Sequence, residues 1–100
     1  MSEQYTMVVY TSPVEGREDE YNKWYDEVHL AEFTALPGVV SGRRYQIPAG
    51  KPAAYAAIYE LSSSPEEVTA AMNDGIKNGT VHMSDALDPA SARTVVLVPR

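Results

Sequence analysis

The segment from Ser62 to Glu67 limits the fold most, because it fixes where a helix begins. Ser64 is a favourable N-cap, Pro65 suits the first helical position, and Glu67 completes a capping box with Ser64. We therefore predict a helix that starts at Pro65 and ends at Lys77-Asn78-Gly79, where a basic residue and a glycine supply the C-terminal stop. The side chains predicted to form its buried stripe are Val68, Ala71, Met72, Gly75 and Ile76.

β-Branched and aromatic residues concentrate in three segments typical of strands, at 5–12, 39–47 and 54–61. A fourth strand is predicted at 93–98, where an unbroken apolar run is typical of a strand covered on both faces. The polar residues between 80 and 92 include Pro89 and indicate a long connection, with a short helical turn at 84–87.

A first helix of about 18 residues is predicted between strands one and two. Its first turn holds the acidic cluster Glu18-Asp19-Glu20, and Pro37-Gly38 requires it to end before residue 37. Its apolar face is predicted to consist of Tyr21, Trp24, Tyr25, Val28, Ala31 and Ala35. On this periodicity, Glu32 projects near the middle of the face and His29 lies at its edge.

The resulting order, β-α-β-β-α-β, predicts an α+β ferredoxin-like sandwich with a four-stranded antiparallel sheet and two helices on one face. Residues 1–100 are expected to form a single domain, since a chain of this length buries one core. Strands one and four are apolar on both faces, so the second sheet face needs a cover. A second copy of the chain is the simplest candidate, and we expect a homodimer.

Composition excludes several classes of function. A net charge of −6, with eight basic residues that form no stripe, makes nucleic acid an improbable partner. No apolar run approaches the ~20 residues that span a bilayer, and the N-terminus lacks the features of a signal peptide, so a cytoplasmic location without membrane contact is expected. The absence of cysteine removes thiolate nucleophiles and the usual structural zinc sites, and we expect neither a metal nor a cofactor.

The stretch from Trp24 to Gly38 contains the only tryptophan, the only phenylalanine and one of two histidines. His29 is the best candidate for a general acid or base, because an imidazole titrates near neutral pH. The alternative is that His29 only packs at the helix edge, hydrogen-bonded one turn earlier. Tyr25 is a candidate for positioning a substrate carbonyl.

Other side chains are candidates for binding a substrate. Trp24 and Phe33 form either a pocket wall or core, and Glu32 either orients the imidazole or turns to solvent. Tyr10 and Tyr45 lie on strands and face the helices, a partner subunit or solvent. These alternatives remain open at the level of the sequence.

Two further features have simple structural explanations. Arg43 and Arg44 must point to opposite sheet faces, so one of them enters covered space and needs an anion, for which a salt bridge within a dimer is the plain explanation. His82 lies in the long connection, where an uninvolved loop histidine is expected.

The segment Trp24-Tyr25-Asp26-Glu27-Val28-His29, followed by Leu36-Pro37-Gly38-Val39, resembles the EthD-like branch of the dimeric α/β-barrel superfamily. The shared pattern is a Trp-Tyr pair, a histidine four residues after the tyrosine, and Pro-Gly just before strand two. The resemblance implies two subunits whose sheets pack face to face, a pocket between helices and sheet in each, and proton transfer by His29 and Tyr25. Relatives often have proline two residues after the histidine, whereas this chain has Ala31, so its helix is expected to run on past His29.

Together these observations predict a cofactor-independent enzyme that uses His29 for proton transfer on a small aromatic or polyketide-like carbonyl compound, as a cyclase, isomerase or lyase. A second hypothesis is a non-catalytic carrier of a small hydrophobic ligand. A third is haem binding with His29 or His82 as axial ligand.

Overall fold

A computed structural model describes residues 4–100 of the chain and confirms the β-α-β-β-α-β order. The strands are β1 (Tyr5–Pro13), β2 (Val39–Gln46), β3 (Tyr55–Leu61) and β4 (Leu87–Leu97). The helices are α1 (Glu18–Trp24), a π-helical segment (Tyr25–His29), α2 (Leu30–Thr34) and α3 (Pro65–Asn78). The first three helical elements follow one another without a break, so together they form the long first helix predicted from the sequence.

The four strands form one antiparallel sheet in the order β2-β3-β1-β4. Alternate residues of the central strands, Met7 on β1 and Tyr59 and Leu61 on β3, are buried beneath the helices. Phe33 packs against Tyr59 with ring centroids 4.3 Å apart, which ties the first helix to this face. The predicted ferredoxin-like α+β sandwich is therefore confirmed.

β4 is longer than predicted, because it begins at Leu87 rather than at residue 93. Asp88 pairs with Ser12 across a register shift that follows Tyr10, so the strand takes up much of the predicted connection. The chain does turn at Asp85 and Ala86, within the predicted turn at 84–87, but the strand begins at once at Leu87. Pro89 is tolerated within the strand because β4 lies at the edge of the sheet in this chain, where a missing N–H need not break the ladder.

The π-helical segment changes which residues of the first helix are buried. The N–H of Leu30 bonds to the carbonyl of Tyr25, so this turn holds one residue more than an α-helical turn. In an uninterrupted α-helix, residues four apart drift by about 40° around the axis at each step. The wider turn cancels much of that drift and keeps a four-residue spacing on one face. The residues aligned in this way are Tyr21, Tyr25, His29 and Phe33.

The predicted apolar face of the first helix is therefore wrong beyond Val28, which is half-buried against the core. Ala31 and Ala35 are exposed, whereas His29 and Phe33 are buried, with 7% and 3% of their surface exposed. The prediction assumed an α-helical period throughout, and the extra residue in the π turn rotates everything after it. The helix does continue past His29 at Ala31, as expected.

The capping box of α3 is formed as predicted. The Glu67 N–H donates to the Ser64 hydroxyl at 3.2 Å, and Gly79 ends the helix in the left-handed conformation with φ of 84°. Gly75 packs against Val81, where a Cβ would meet a methyl group at 2.5 Å. Ile76, predicted to be buried, is 39% exposed.

The sheet face opposite the helices carries exposed apolar side chains. Tyr45, Val95 and Leu97 are 44%, 43% and 50% exposed, and the alternation of β2 and β4 points them away from the helices. In residues 4–100, no helix has the length and apolar character required to cross a membrane.

Candidate active site

A cavity of about 330 Å³ lies between the helices and the β1–β4 half of the sheet. The first helix, α3, three strands (β1, β3 and β4) and the segment before β4 contribute residues to its lining. These residues are Met7, Val9, Thr11, Tyr25, His29, Phe33, Tyr59, Thr69, Met72, Met83, Leu87, Pro89, Ala92 and Thr94. Its volume is at the lower end of the range found for small-molecule sites.

His29 is held in the cavity wall by aromatic rings. Its imidazole stacks on Trp24 with centroids 4.6 Å apart and planes at 23°, and it meets the edge of Tyr25 at 5.1 Å. Phe33 lies at 5.9 Å on the next turn. Nδ1 is buried and has no hydrogen-bond partner within residues 4–100. Because Nδ1 is enclosed, Nε2 is the nitrogen that remains for contact with a ligand.

Burial lowers the pKa of His29 from 6.5 to about 4. The negative charge of Glu32 acts to raise this pKa and the positive charge of Arg44 acts to lower it, but loss of hydration is the largest influence. The imidazole is therefore neutral at neutral pH, the form that can accept a proton.

Two tyrosines of the cavity lie close to His29. Burial raises the pKa of Tyr25 and that of Tyr59, while the Tyr59 hydroxyl acts to lower the pKa of Tyr25. The Tyr59 hydroxyl is enclosed, and the hydroxyl of Tyr25 is the polar group that acts on its pKa from nearby. Both phenols are protonated at neutral pH and can donate a hydrogen bond to a carbonyl oxygen.

Arg44 supports Tyr25 from the side away from the cavity. Its guanidinium lies 4.3 Å from the centre of the Tyr25 ring, and it donates to Asp26 at 2.7 Å and to Asn22 at 2.9 Å. Arg44 is thus the arginine that enters covered space, as predicted, but its carboxylate belongs to the same chain. The predicted salt bridge within a dimer is corrected for Arg44, because Asp26 of the same chain supplies the carboxylate.

Glu32 binds His82 rather than His29. Its carboxylate accepts from the His82 N–H at 2.7 Å and contacts His82 Nδ1 at 2.6 Å. The carbonyl of His82 in turn accepts from Trp24 Nε1 at 3.0 Å. Partial burial acts to raise the pKa of Glu32, but the hydrogen bonds and charge of His82 outweigh it and lower that pKa.

This arrangement corrects two expectations. Glu32 influences the imidazole of His29 only through space, since its hydrogen bonds are directed to the loop before β4. His82 is not an uninvolved loop residue, because it joins Glu32 and Trp24 to the segment that carries Met83 over the cavity.

The structure brings together only some of the predicted site residues. The cavity is lined by His29, Tyr25 and Phe33. Trp24 stacks on the imidazole of His29. Tyr10 and Tyr45 lie on the opposite sheet face, so their predicted place beside a substrate in this cavity is corrected.

Sequence reasoning missed several cavity residues. The alternation of β3 puts Tyr59 and Tyr55 on one face, but alternation alone does not identify that face as the helix side. Ala92 and Pro89 were missed because the start of β4 was read as a loop.

The chain is similar in fold to several solved structures, which share its ferredoxin-like α+β architecture. It resembles SnoaB, a cofactor-independent oxygenase from Streptomyces nogalater, with 17% identity, a TM-score of 0.67, and coverage of 99% of this chain and 95% of that one. It also resembles a candidate monooxygenase from Shewanella loihica PV-4, with 20% identity, a TM-score of 0.65, and coverage of 100% and 98%.

A third similar structure is an EthD family protein from Bacillus halodurans C-125, with 14% identity, a TM-score of 0.63, and coverage of 98% of this chain and 99% of that one. The predicted resemblance to the EthD-like branch is therefore confirmed at the level of the fold. No protein-family model and no curated protein sequence matches the chain.

Proposed function

We propose that the protein is a cofactor-independent enzyme in which His29 exchanges a proton with a small aromatic or polyketide-like carbonyl compound. The observation that carries this proposal is a neutral imidazole in the wall of an apolar cavity, beside two protonated phenols. The similar fold of a cofactor-independent oxygenase supports an enzymatic role.

The proposed chemistry needs a carbon acid. His29 takes a proton from a carbon next to the carbonyl, and the electron pair moves to the carbonyl oxygen, where the hydroxyl of Tyr25 or Tyr59 donates a hydrogen bond. Because the pKa of His29 is about 4, it is a weak base and a ready proton donor once charged. The substrate must therefore carry an activated C–H bond. If the proton returns to a different atom, the substrate is isomerised; in a cyclisation, the proton returns after the ring has closed.

A hydrogen–deuterium exchange assay tests the proton transfer without knowledge of the natural substrate. Loss of the C1 proton signal of 2-tetralone in D2O is followed by NMR with wild-type protein and with His29→Phe. Phenylalanine keeps a ring for Trp24 to stack on and removes both nitrogens. We expect wild type to exchange at least about a hundredfold faster than the variant.

Lys77→Ala, an exposed change at the end of α3, is the matched control and should exchange at the wild-type rate. Equal exchange by wild type and His29→Phe, both folded by circular dichroism, would contradict the proposal. If wild type binds 2-tetralone without accelerating exchange, the non-catalytic carrier is supported instead.

Oxygenation is a second candidate, favoured by the fold shared with SnoaB. A carbon that has lost its proton to His29 is electron-rich and can react with O2. Conversion of a methylene to a carbonyl with release of water consumes one O2 and needs no other reductant. Oxygen uptake with wild type and none with His29→Phe would support this course, whereas proton exchange without uptake would dismiss it.

We also propose that the chain functions as a homodimer that covers the open sheet face. The exposed Val95, Leu97 and Tyr45 on that face support this assembly, because apolar side chains grouped on a sheet commonly mark an interface. The sheets of two copies would then pack face to face.

A further inference from the structure

The wall of the cavity carries no formal charge in any of its described residues. Among residues 4–100 its lining contains no aspartate, glutamate, lysine or arginine. We propose that this cavity selects an uncharged ligand, an aromatic body with a hydroxyl or carbonyl group, and rejects carboxylates and ammonium ions of the same shape. This inference rests on the cavity of the proposed function, but it concerns binding rather than turnover.

The described lining of the cavity offers no cation to an anionic ligand. The guanidinium of Arg44 lies behind the Tyr25 ring, and its charge is paired with Asp26 at 2.7 Å. Only 11% of the Arg44 side chain is exposed, so it has no freedom to turn toward a ligand. A carboxylate would therefore lose its hydration without gaining a partner, and the net charge of −6 opposes its approach.

A cationic ligand is disfavoured for a related reason. The carboxylate of Glu32 is bound to His82, and that of Asp26 is bound to Arg44. The faces of Phe33 and Tyr59 offer cation–π contacts, but these replace only part of the hydration that an ammonium ion loses.

An uncharged hydroxyl or carbonyl matches the polar groups that are present. The polar side chains of the lining are Thr11, Tyr25, His29, Tyr59, Thr69 and Thr94. Phenol and threonine hydroxyls donate to a carbonyl oxygen, while a neutral imidazole accepts from a ligand hydroxyl. The remaining surface is aliphatic, aromatic or thioether, which suits an aromatic body.

Three probes with one ring system test the inference by isothermal titration calorimetry at pH 7. They are 2-naphthol, which is neutral, 2-naphthoate, which is an anion, and 2-naphthylmethylammonium, which is a cation. We expect 2-naphthol to bind at least about tenfold more tightly than either ion. Binding of an ion as tight as that of 2-naphthol, or no saturable binding of any probe, would overturn the inference.

A designed charge provides a second test. Thr94 is exposed on β4 at the rim of the cavity, so Thr94→Lys can add a cation without disturbing the core. It should raise the affinity for 2-naphthoate about tenfold, while Thr94→Gln, which adds length without charge, should give no comparable increase. Equal affinities of both variants would place the probe outside this cavity and overturn the inference. His29→Phe should bind 2-naphthol more weakly, because the acceptor nitrogen is lost, but should still bind it more tightly than either ion. The charge preference can therefore be measured even if the protein transfers no proton.

Discussion

The environment of His29 explains how an ordinary imidazole becomes a neutral group inside the protein. Trp24, Tyr25 and Phe33 surround the ring with aromatic surface, and no side chain of residues 4–100 bonds to Nδ1. Packing therefore fixes the ring, and loss of hydration lowers its pKa. A base held in this way stays unprotonated over most of the physiological pH range.

The lowered pKa of His29 predicts a pH dependence of stability. The unfolded chain binds a proton at this residue below about pH 6.5, whereas the folded chain does so only below about pH 4. Between these values the unfolded state binds more protons, so the free energy of unfolding falls as pH is lowered. The total loss is about 3 kcal/mol, and His29 contributes no further change below pH 4.

Urea unfolding of wild type and of His29→Phe from pH 7 to pH 4 measures this contribution. The carboxylates are common to both proteins, so the difference between the two curves isolates His29. Parallel pH profiles of the two proteins would show that the pKa of His29 is not lowered in the folded state.

At the level of single residues, the sequence located His29 and Tyr25 but not their surroundings. The Trp-Tyr pair and the histidine four residues later are visible in the chain, and the structure places His29, Tyr25 and Phe33 at one cavity. The partners of Glu32 were not predictable, because His82 is 50 residues away and no local pattern relates them.

Among the elements, the π-helical segment decides which residues reach the cavity. Four-residue spacing from Tyr21 to Phe33 is compatible with one buried face only if the helix widens, and it does so between Tyr25 and His29. The sequence predicted the length of this helix and its end before Pro37. It did not predict the wider turn, because hydrophobic periodicity assumes one constant number of residues per turn.

The hydrogen bonds of Glu32 join the first helix to the loop before β4, and we predict that they hold Trp24 in place. Glu32→Ala removes both contacts with His82, and the carbonyl that accepts from Trp24 Nε1 becomes free to move. The emission of Trp24, the only tryptophan, should shift to longer wavelength as water reaches the indole. Stability should fall by about 1 kcal/mol, since the contacts are partly exposed.

Two further variants serve as comparisons for this prediction. Glu32→Gln retains an oxygen that can accept from the His82 N–H and should give a smaller shift, while Glu27→Ala, exposed on the same helix, should give none. An unchanged emission spectrum in Glu32→Ala would show that Trp24 does not depend on this link.

For the whole molecule, the open sheet face leads to a prediction about association. Val95 faces away from the helices and pairs with Val8 on that face, so Val95→Glu would place a charge in the proposed dimer contact. We expect this variant to be monomeric by analytical ultracentrifugation under conditions in which wild type is a dimer.

Thr94→Glu makes a comparable change one residue earlier on the other face of β4 and should leave association unchanged. A monomeric wild-type protein, or dimers of Val95→Glu as stable as those of wild type, would contradict the proposed assembly. The overall order of elements was predictable because turns and helix caps are local signals in the sequence. The molecule that covers the open sheet face cannot be identified from one chain, because that face is not covered within the chain.

β4 serves the cavity and the open face with neighbouring residues, since Ala92 and Thr94 line the cavity and Val95 lies on the other side. A shift of this strand by a fraction of an ångström would alter both surfaces at once. Ligand occupancy and self-association would then be linked equilibria, and the apparent dissociation constant of a ligand would depend on protein concentration. A ligand titrated into nanomolar protein would then show a different apparent affinity from the same ligand titrated into micromolar protein.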